Sequence, residues 1–265
     1  MRRIAIVFFV LVFFSSLFSC KSREEYILIR YNGETQGTYY AITCYVNDSV
    51  DLKPSIDSLL KRFDSSASIY KSNSIISRIN RNDPGIMADE IFKTLFAKAN
   101  EVSEKTSGAF DITVAPLVNA WGFGFEDRMK VDQHVVDSLL PLIGYRNVRL
   151  ENNRIAKADP RIRIDFNAIA QGYAVDLLAG LLESRGIESF LVDIGGEVVA
   201  KGTKTGGVKW SVGIEKPSKT MDDGREIKDV VTLTDMALST SGNYRKYFEE
   251  NGIRYSHTID PFTGY

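Results

Sequence analysis

Cysteine and histidine are scarce: the 265 residues contain two of each. The two cysteines, Cys20 and Cys44, form no metal-binding pattern. If Cys20 is modified, Cys44 is left without a partner for an internal disulfide. Cys44 lies in the strand-like run Tyr39 to Val46 and reads as a small core residue. Basic runs are also missing, and no aromatic residues are interleaved with Lys and Arg, which excludes a nucleic-acid partner. No G-x-G-x-x-G follows a strand and no G-x-x-x-x-G-K-[ST] occurs, so a Rossmann or Walker reading is poor. Any nucleotide must be held another way. There is no internal repeat, low-complexity tract or linker.

What is present begins with the N-terminus. Met1-Arg2-Arg3 is a basic start, Ile4 to Phe14 is an unbroken apolar run, and Ser15 to Cys20 adds small residues and a cysteine. This is a secretory signal over residues 1–19, too short to span a bilayer comfortably. Leu17, Ser19 and Cys20 resemble a bacterial lipobox, with Phe18 bulkier than usual. The expectation is an exported lipoprotein, held at the periplasmic side of the envelope by acyl chains on Cys20. The alternative is an uncleaved anchor. Cleavage takes two of the 33 basic residues and none of the 34 acidic ones, so the mature chain is modestly acidic.

Strands are expected at 26–31 and 37–46 with Asn32-Gly33 as the turn, and a helix over Ser49–Phe63. Glu90–Thr106 is the clearest helix, and Val131–Ile143 is another. Short strands follow at 146–150 and 154–158, and Arg161–Asp165 alternates as a half-buried strand does. Ala168–Arg185 is amphipathic. Strands then come at 189–194, 196–201, 208–215, 229–234, 237–241 and 253–259, with Met221–Glu226 as a polar loop. Helices mixed irregularly with antiparallel-looking strands argue for an α+β fold, with mixed, largely antiparallel sheets and packed helices, over residues 20–265.

Several segments carry chemistry. Asp111, between Phe110 and Ile112 and followed by Trp121-Gly122-Phe123-Gly124, is a carboxylate that either meets a ribose or adenine or caps nearby backbone. Asp165-Phe166-Asn167-Ala168 ends a strand and opens a helix, whose N-terminus favours phosphate, although Asn167 reads equally as an N-cap. Asp193-Ile194-Gly195-Gly196 lets backbone pass close to a ligand or to another strand. Thr240 to Arg245 offers hydroxyls and a guanidinium, or an ordinary hairpin. His257, among Ser256, Thr258 and Asp260-Pro261, is the sharpest signal, since imidazole takes a proton from a hydroxyl near neutral pH.

In order along the chain, Thr35-Gln36-Gly37-Thr38, Ser68-Ile69-Tyr70 with Ile79-Asn80, Gly108 to Val114, Trp121 to Gly124, Asp165 to Gly172, Leu191 to Glu197, Ser239 to Tyr244 and Ser256 to Gly264 resemble the ApbE family of FAD:protein FMN transferases. The resemblance implies a Mg²⁺-dependent attack on FAD by a Thr or Ser hydroxyl of an acceptor protein, with AMP leaving. The acceptor would be a membrane redox subunit or an exported flavoprotein. It makes His257 the base and places Gln36, Ser68, Ile69, Tyr70, Asp111, Gln171, Thr258 and Ile259 against FAD. Ala168 would be a metal ligand through its main-chain carbonyl.

Two departures stand out. Many members carry lysine or an acid where this chain has Gln171, so the metal or an arginine such as Arg245 would carry more of the charge neutralisation. The family also continues past His-Asp-Pro-Thr-Gly into a strand and a helix with a metal-binding aspartate. The chain is therefore expected to be a fragment. Two other readings fit the same motifs: an FAD pyrophosphatase giving FMN and AMP, and a flavin-binding lipoprotein without catalysis.

Overall fold

A computed structural model describes residues 26–124, 128–216, 226–242, 247–250 and 252–265. The signal segment, most of the 221–226 loop and Arg245 lie outside the described residues. Two long strands open the fold, β1 (Ile27–Thr35) and β2 (Thr38–Val46). Their turn is Gln36-Gly37, with φ of 51° and 73°, not Asn32-Gly33. Both residues have positive φ, as a tight hairpin turn requires. Gly33 instead faces Tyr40 across the ladder, where a Cβ would come within 2.6 Å of the Tyr40 ring. The glycine is a seat for an aromatic ring, and the later turn gives a longer ladder.

Five helices follow: α1 (Lys53–Ala67), α2 (Ile75–Asn80), α3 (Glu90–Lys105), α4 (Ala115–Ala120) and α5 (Gln133–Leu139). α3 starts where its sequence says it should: the Asp89 carboxylate accepts the Phe92 N–H and so caps the first turn. Then come β3 (Val148–Glu151), β4 (Arg154–Lys157) and α6 (Asn167–Ser184). The last elements are β5 (Ser189–Ile194), β6 (Glu197–Lys201), β7 (Trp210–Glu215), β8 (Ile227–Leu233), β9 (Met236–Leu238), β10 (Tyr247–Glu250) and β11 (Ile253–Ser256).

The main sheet has the order β1-β2-β5-β6-β9, and every pairing is antiparallel. Tyr40, Ile42 and Cys44 of β2 and Phe190, Val192 and Ile194 of β5 alternate onto one face, against α1, α3 and α6. Cys44 is fully buried there, and burial pushes its thiol up to about 11. Val198 and Ala200 of β6 belong to a separate small core closed by Trp210 and Leu233 of the β7–β8 hairpin. This is an α+β fold, as the mixture of elements indicates.

Residues 161–165 differ from expectation. Ile162 and Ile164 are buried in alternation, but no strand pairs with the segment. Its partner is a side chain: the Asn80 amide donates to the Ile164 carbonyl and accepts the Ile164 N–H, both at 2.8 Å. α2, α4 and β10 are elements the sequence reading did not foresee.

Candidate active site

A cavity of about 480 Å³ lies between the 68–74 turn, α4 and the start of α6. Ile69 and Tyr70 line one side, Ala115, Asn119 and Phe123 another, and Asp165 and Asn167 the floor. The Ser68 carbonyl accepts the Ser74 hydroxyl at 2.7 Å, fixing the turn that presents Tyr70. Tyr70 is 64 % exposed. Its phenol is pushed up first by burial and then by the charge of Asp165, against a hydrogen bond with Asn167. Burial likewise pushes the Asp165 carboxyl up, opposed by the Asn167 N–H that it accepts at 2.7 Å. Among the described residues no ammonium or guanidinium forms an ion pair with Asp165.

His257 directly follows β11. Its ring lies edge-on to Phe123, with centroids 6.4 Å apart, and Phe123 lines the cavity. A column of near-parallel rings seats the hairpin that carries it: Phe123 on Phe248 at 5.4 Å, Phe248 on Tyr255 at 5.1 Å, and Tyr255 on Trp121 at 5.1 Å. Trp121 Nε1 also donates to the Gly264 carbonyl at 2.8 Å. Ile259 is buried with Leu117 and Trp121, whereas Thr258 is exposed. The Asp260–Tyr265 turn closes on itself, and its Phe262 ring packs on Gly108, at the head of the Asp111 segment.

Asp111 is occupied by the protein itself. Oδ1 accepts the Thr113 N–H and hydroxyl, and Oδ2 accepts the Tyr145 N–H, all within 2.8 Å. Of the two readings the sequence left open, the backbone cap is the one seen in these contacts.

Gln36 and Gln171 belong to a second cluster, at the end of the main sheet. Gly195 and Gly196 form the β5–β6 turn, both at positive φ. A Cβ on Gly195 would meet Thr38 at 2.8 Å and the Gln171 amide at 3.4 Å, and one on Gly196 would meet Thr240 at 3.1 Å. Side-chain-free backbone therefore passes between these polar groups. In the neighbouring turn, Thr35 Oγ1 and Gln36 Nε2 are buried without a protein partner. Buried polar atoms are normally satisfied, which sets this pair apart.

α6 joins the two clusters. Asn167 lies in the cavity floor, while Ala168 and Gln171, three residues apart in the first two turns, share a helix face. Ala168 is exposed and can offer a metal only main-chain oxygen. Among the described residues no three His, Cys, Asp or Glu side chains group as a metal cluster. Sequence reasoning assigned no role to Asn80, Asn119 or Arg163. Asn80 sits in a six-residue helix too short for a periodic signal, and its clamp on Ile164 spans 84 positions.

Residues 36–265 match the profile of the ApbE family. A curated FAD:protein FMN transferase of Vibrio cholerae is 37 % identical over 257 residues, covering 94 % of this chain and 75 % of its own length. One of Escherichia coli is 35 % identical, covering 88 % and 68 %. The solved flavin transferase ApbE from Vibrio cholerae superposes with a TM-score of 0.79 at 35 % identity, over 91 % of this chain and 78 % of that one. Apo Pseudomonas stutzeri flavinyl transferase ApbE gives 0.78 at 33 % identity, over 90 % and 76 %.

Proposed function

The chain belongs to the ApbE family, and on that premise we propose that it moves FMN from FAD onto a Ser or Thr hydroxyl of an acceptor protein. A phosphoester bond forms between the acceptor oxygen and the FMN phosphorus. The diphosphate P–O bond breaks, AMP leaves, and the hydroxyl proton passes to His257. The observation that carries the reading is convergence: residues far apart in sequence, Tyr70, Phe123, Asp165 and Asn167, line one cavity with His257 against its wall. Tyr70 offers an exposed ring for stacking on a flavin or adenine. The orphaned donors at Thr35 and Gln36 suit a polar ligand at the sheet end.

Mg²⁺ takes hard oxygens, keeps several waters and leans on substrate phosphates. The Ala168 carbonyl and the Asp165 carboxylate suit it in kind. When bound, the ion supplies charge neutralisation at the diphosphate. Gln171 adds hydrogen bonding there without charge.

The test is incubation with FAD, Mg²⁺ and an acceptor flavoprotein, followed by denaturing electrophoresis and AMP quantitation. Flavin fluorescence should stay with the acceptor band, in step with AMP. Free FMN with AMP would indicate the pyrophosphatase, and intact FAD would leave only flavin binding.

Residues 1–20 support a proposal for location, an exported lipoprotein tethered through Cys20. Cys20→Ser is expected to move the protein from the membrane to the soluble fraction. Unchanged fractionation would rule out the acyl tether.

A further inference from the structure

One half-buried cation has no role in the chemistry above. Two cavities share a wall: the 480 Å³ cavity and a second of about 300 Å³, lined by Ile79, Arg154, Lys157 and Pro160 among others. The wall is the end of α2 with the extended segment 161–165. Asn80, Ile164 and Asp165 face the larger cavity, and Ile79 faces the smaller. No strand pairs with this segment, so besides the Asp165 N–H bond to the Ile112 carbonyl its holds come from side chains. Asn80 clamps Ile164, and Lys157, the last residue of β4, supplies the second hold. Its ammonium donates to the Ile162 carbonyl at 3.0 Å and the Asn80 carbonyl at 3.4 Å, bridging both halves of the wall.

Stability does not account for a charge at this place. Among the described residues no carboxylate forms an ion pair with Lys157. The charged groups around it are Arg163 on the segment it holds, Arg154 on its own hairpin, Asp83, already held by Arg78 and Arg81, and Asp159, held by Arg161. Burial first, and then the Arg163 charge, push its ammonium down to about 8. A lowered lysine pKa means that the fold favours the neutral amine over the ammonium, so the two carbonyl contacts do not fully offset burial of the charge.

We propose that Lys157 is a positioning residue for flavin transfer: it draws the Ile162 and Asn80 carbonyls together and so sets where Asp165 and Asn167 stand in the cavity floor. The inference rests on the transferase reading, because it takes this cavity as part of the FAD site. The sign with pH follows from the staple's chemistry. The ammonium is the stronger donor below about 8, and the staple weakens as pH rises through that value, because the neutral amine keeps two N–H groups for the two carbonyls but loses the charge that strengthens those bonds.

The test compares the full chain with its Lys157→Met and Lys157→Arg variants. Three quantities are read: kcat/KM for FAD from pH 6.5 to 9.5, Tm, and amide exchange of residues 162–167 without FAD. In Lys157→Met, kcat/KM should fall about tenfold or more, as a displaced reacting geometry does. Exchange should quicken while Tm holds or rises. Lys157→Arg, charged throughout this range, should recover most of the rate and lose the alkaline decline expected of the wild type near pH 8. Unchanged kcat/KM and exchange in Lys157→Met would overturn the proposal, and so would a rate loss that merely tracks a lower Tm. If the wild type transfers no FMN, the transferase reading fails, and exchange at 162–167 still decides whether the staple exists.

Discussion

His257→Ala is expected to slow FMN transfer by about 10² to 10⁴-fold, the usual worth of a positioned general base, with FAD affinity nearly unchanged. The acceptor hydroxyl is a poor nucleophile until its proton is taken, and imidazole does this near neutral pH. The structure places that imidazole one ring away from the cavity, against Phe123. The column Phe123–Phe248–Tyr255–Trp121 and the Trp121 hydrogen bond to Gly264 fix the hairpin that carries it. Substitution at His257 removes one partner of Phe123 and leaves the column and that hydrogen bond in place. Single-turnover transfer and flavin-fluorescence titration on the same preparation separate the two effects. A variant that transfers at the wild-type rate would remove His257 from the chemistry. One that loses FAD binding in proportion to rate would make it a binding residue.

Legibility in the sequence followed the range of the interactions involved. α3 was readable because its signal is local: a long amphipathic run with buried residues at helical spacing. The β1–β2 turn was misplaced because two dipeptides ending in glycine compete for it. The winner is decided by a contact outside the turn, the Tyr40 ring lying over Gly33. Segment 161–165 alternates like a strand because its backbone is extended, but its partner is the Asn80 amide rather than a ladder. β10, four residues long, has too few alternations to register and is recognisable only through Phe248 stacking on Trp121 and Tyr255. In the site, single residues such as Tyr70 and His257 could be picked out by type and motif. The column of rings could not, since Trp121 and Tyr255 meet across more than a hundred positions. Nor could the Lys157 staple, which needs the distance between two carbonyls.

Asp111→Ala is expected to cost about 3–5 kcal/mol of stability, because it strips a buried carboxylate from donors that have no other acceptor. The carboxylate takes three protein hydrogen bonds and is 8 % exposed. Thr113, fully buried, donates its hydroxyl to Asp111 and accepts the Gly144 N–H at 2.7 Å. The Tyr145 N–H completes the link, so one side chain ties the 108–113 segment to the turn at 144–147. The effect reaches the cavity as well: the Ile112 carbonyl, between Asp111 and Thr113, accepts the Asp165 N–H at 2.8 Å. For a chain of this size the loss corresponds to a fall in Tm of roughly 10 °C or more. Asp111→Asn separates the two readings that the sequence left open. Its oxygen can still serve Thr113, but its amide points a donor at the Tyr145 N–H, so roughly half the stability should be lost if the role is structural. A variant that keeps its Tm and loses FAD binding would show instead that the carboxylate faces the ligand.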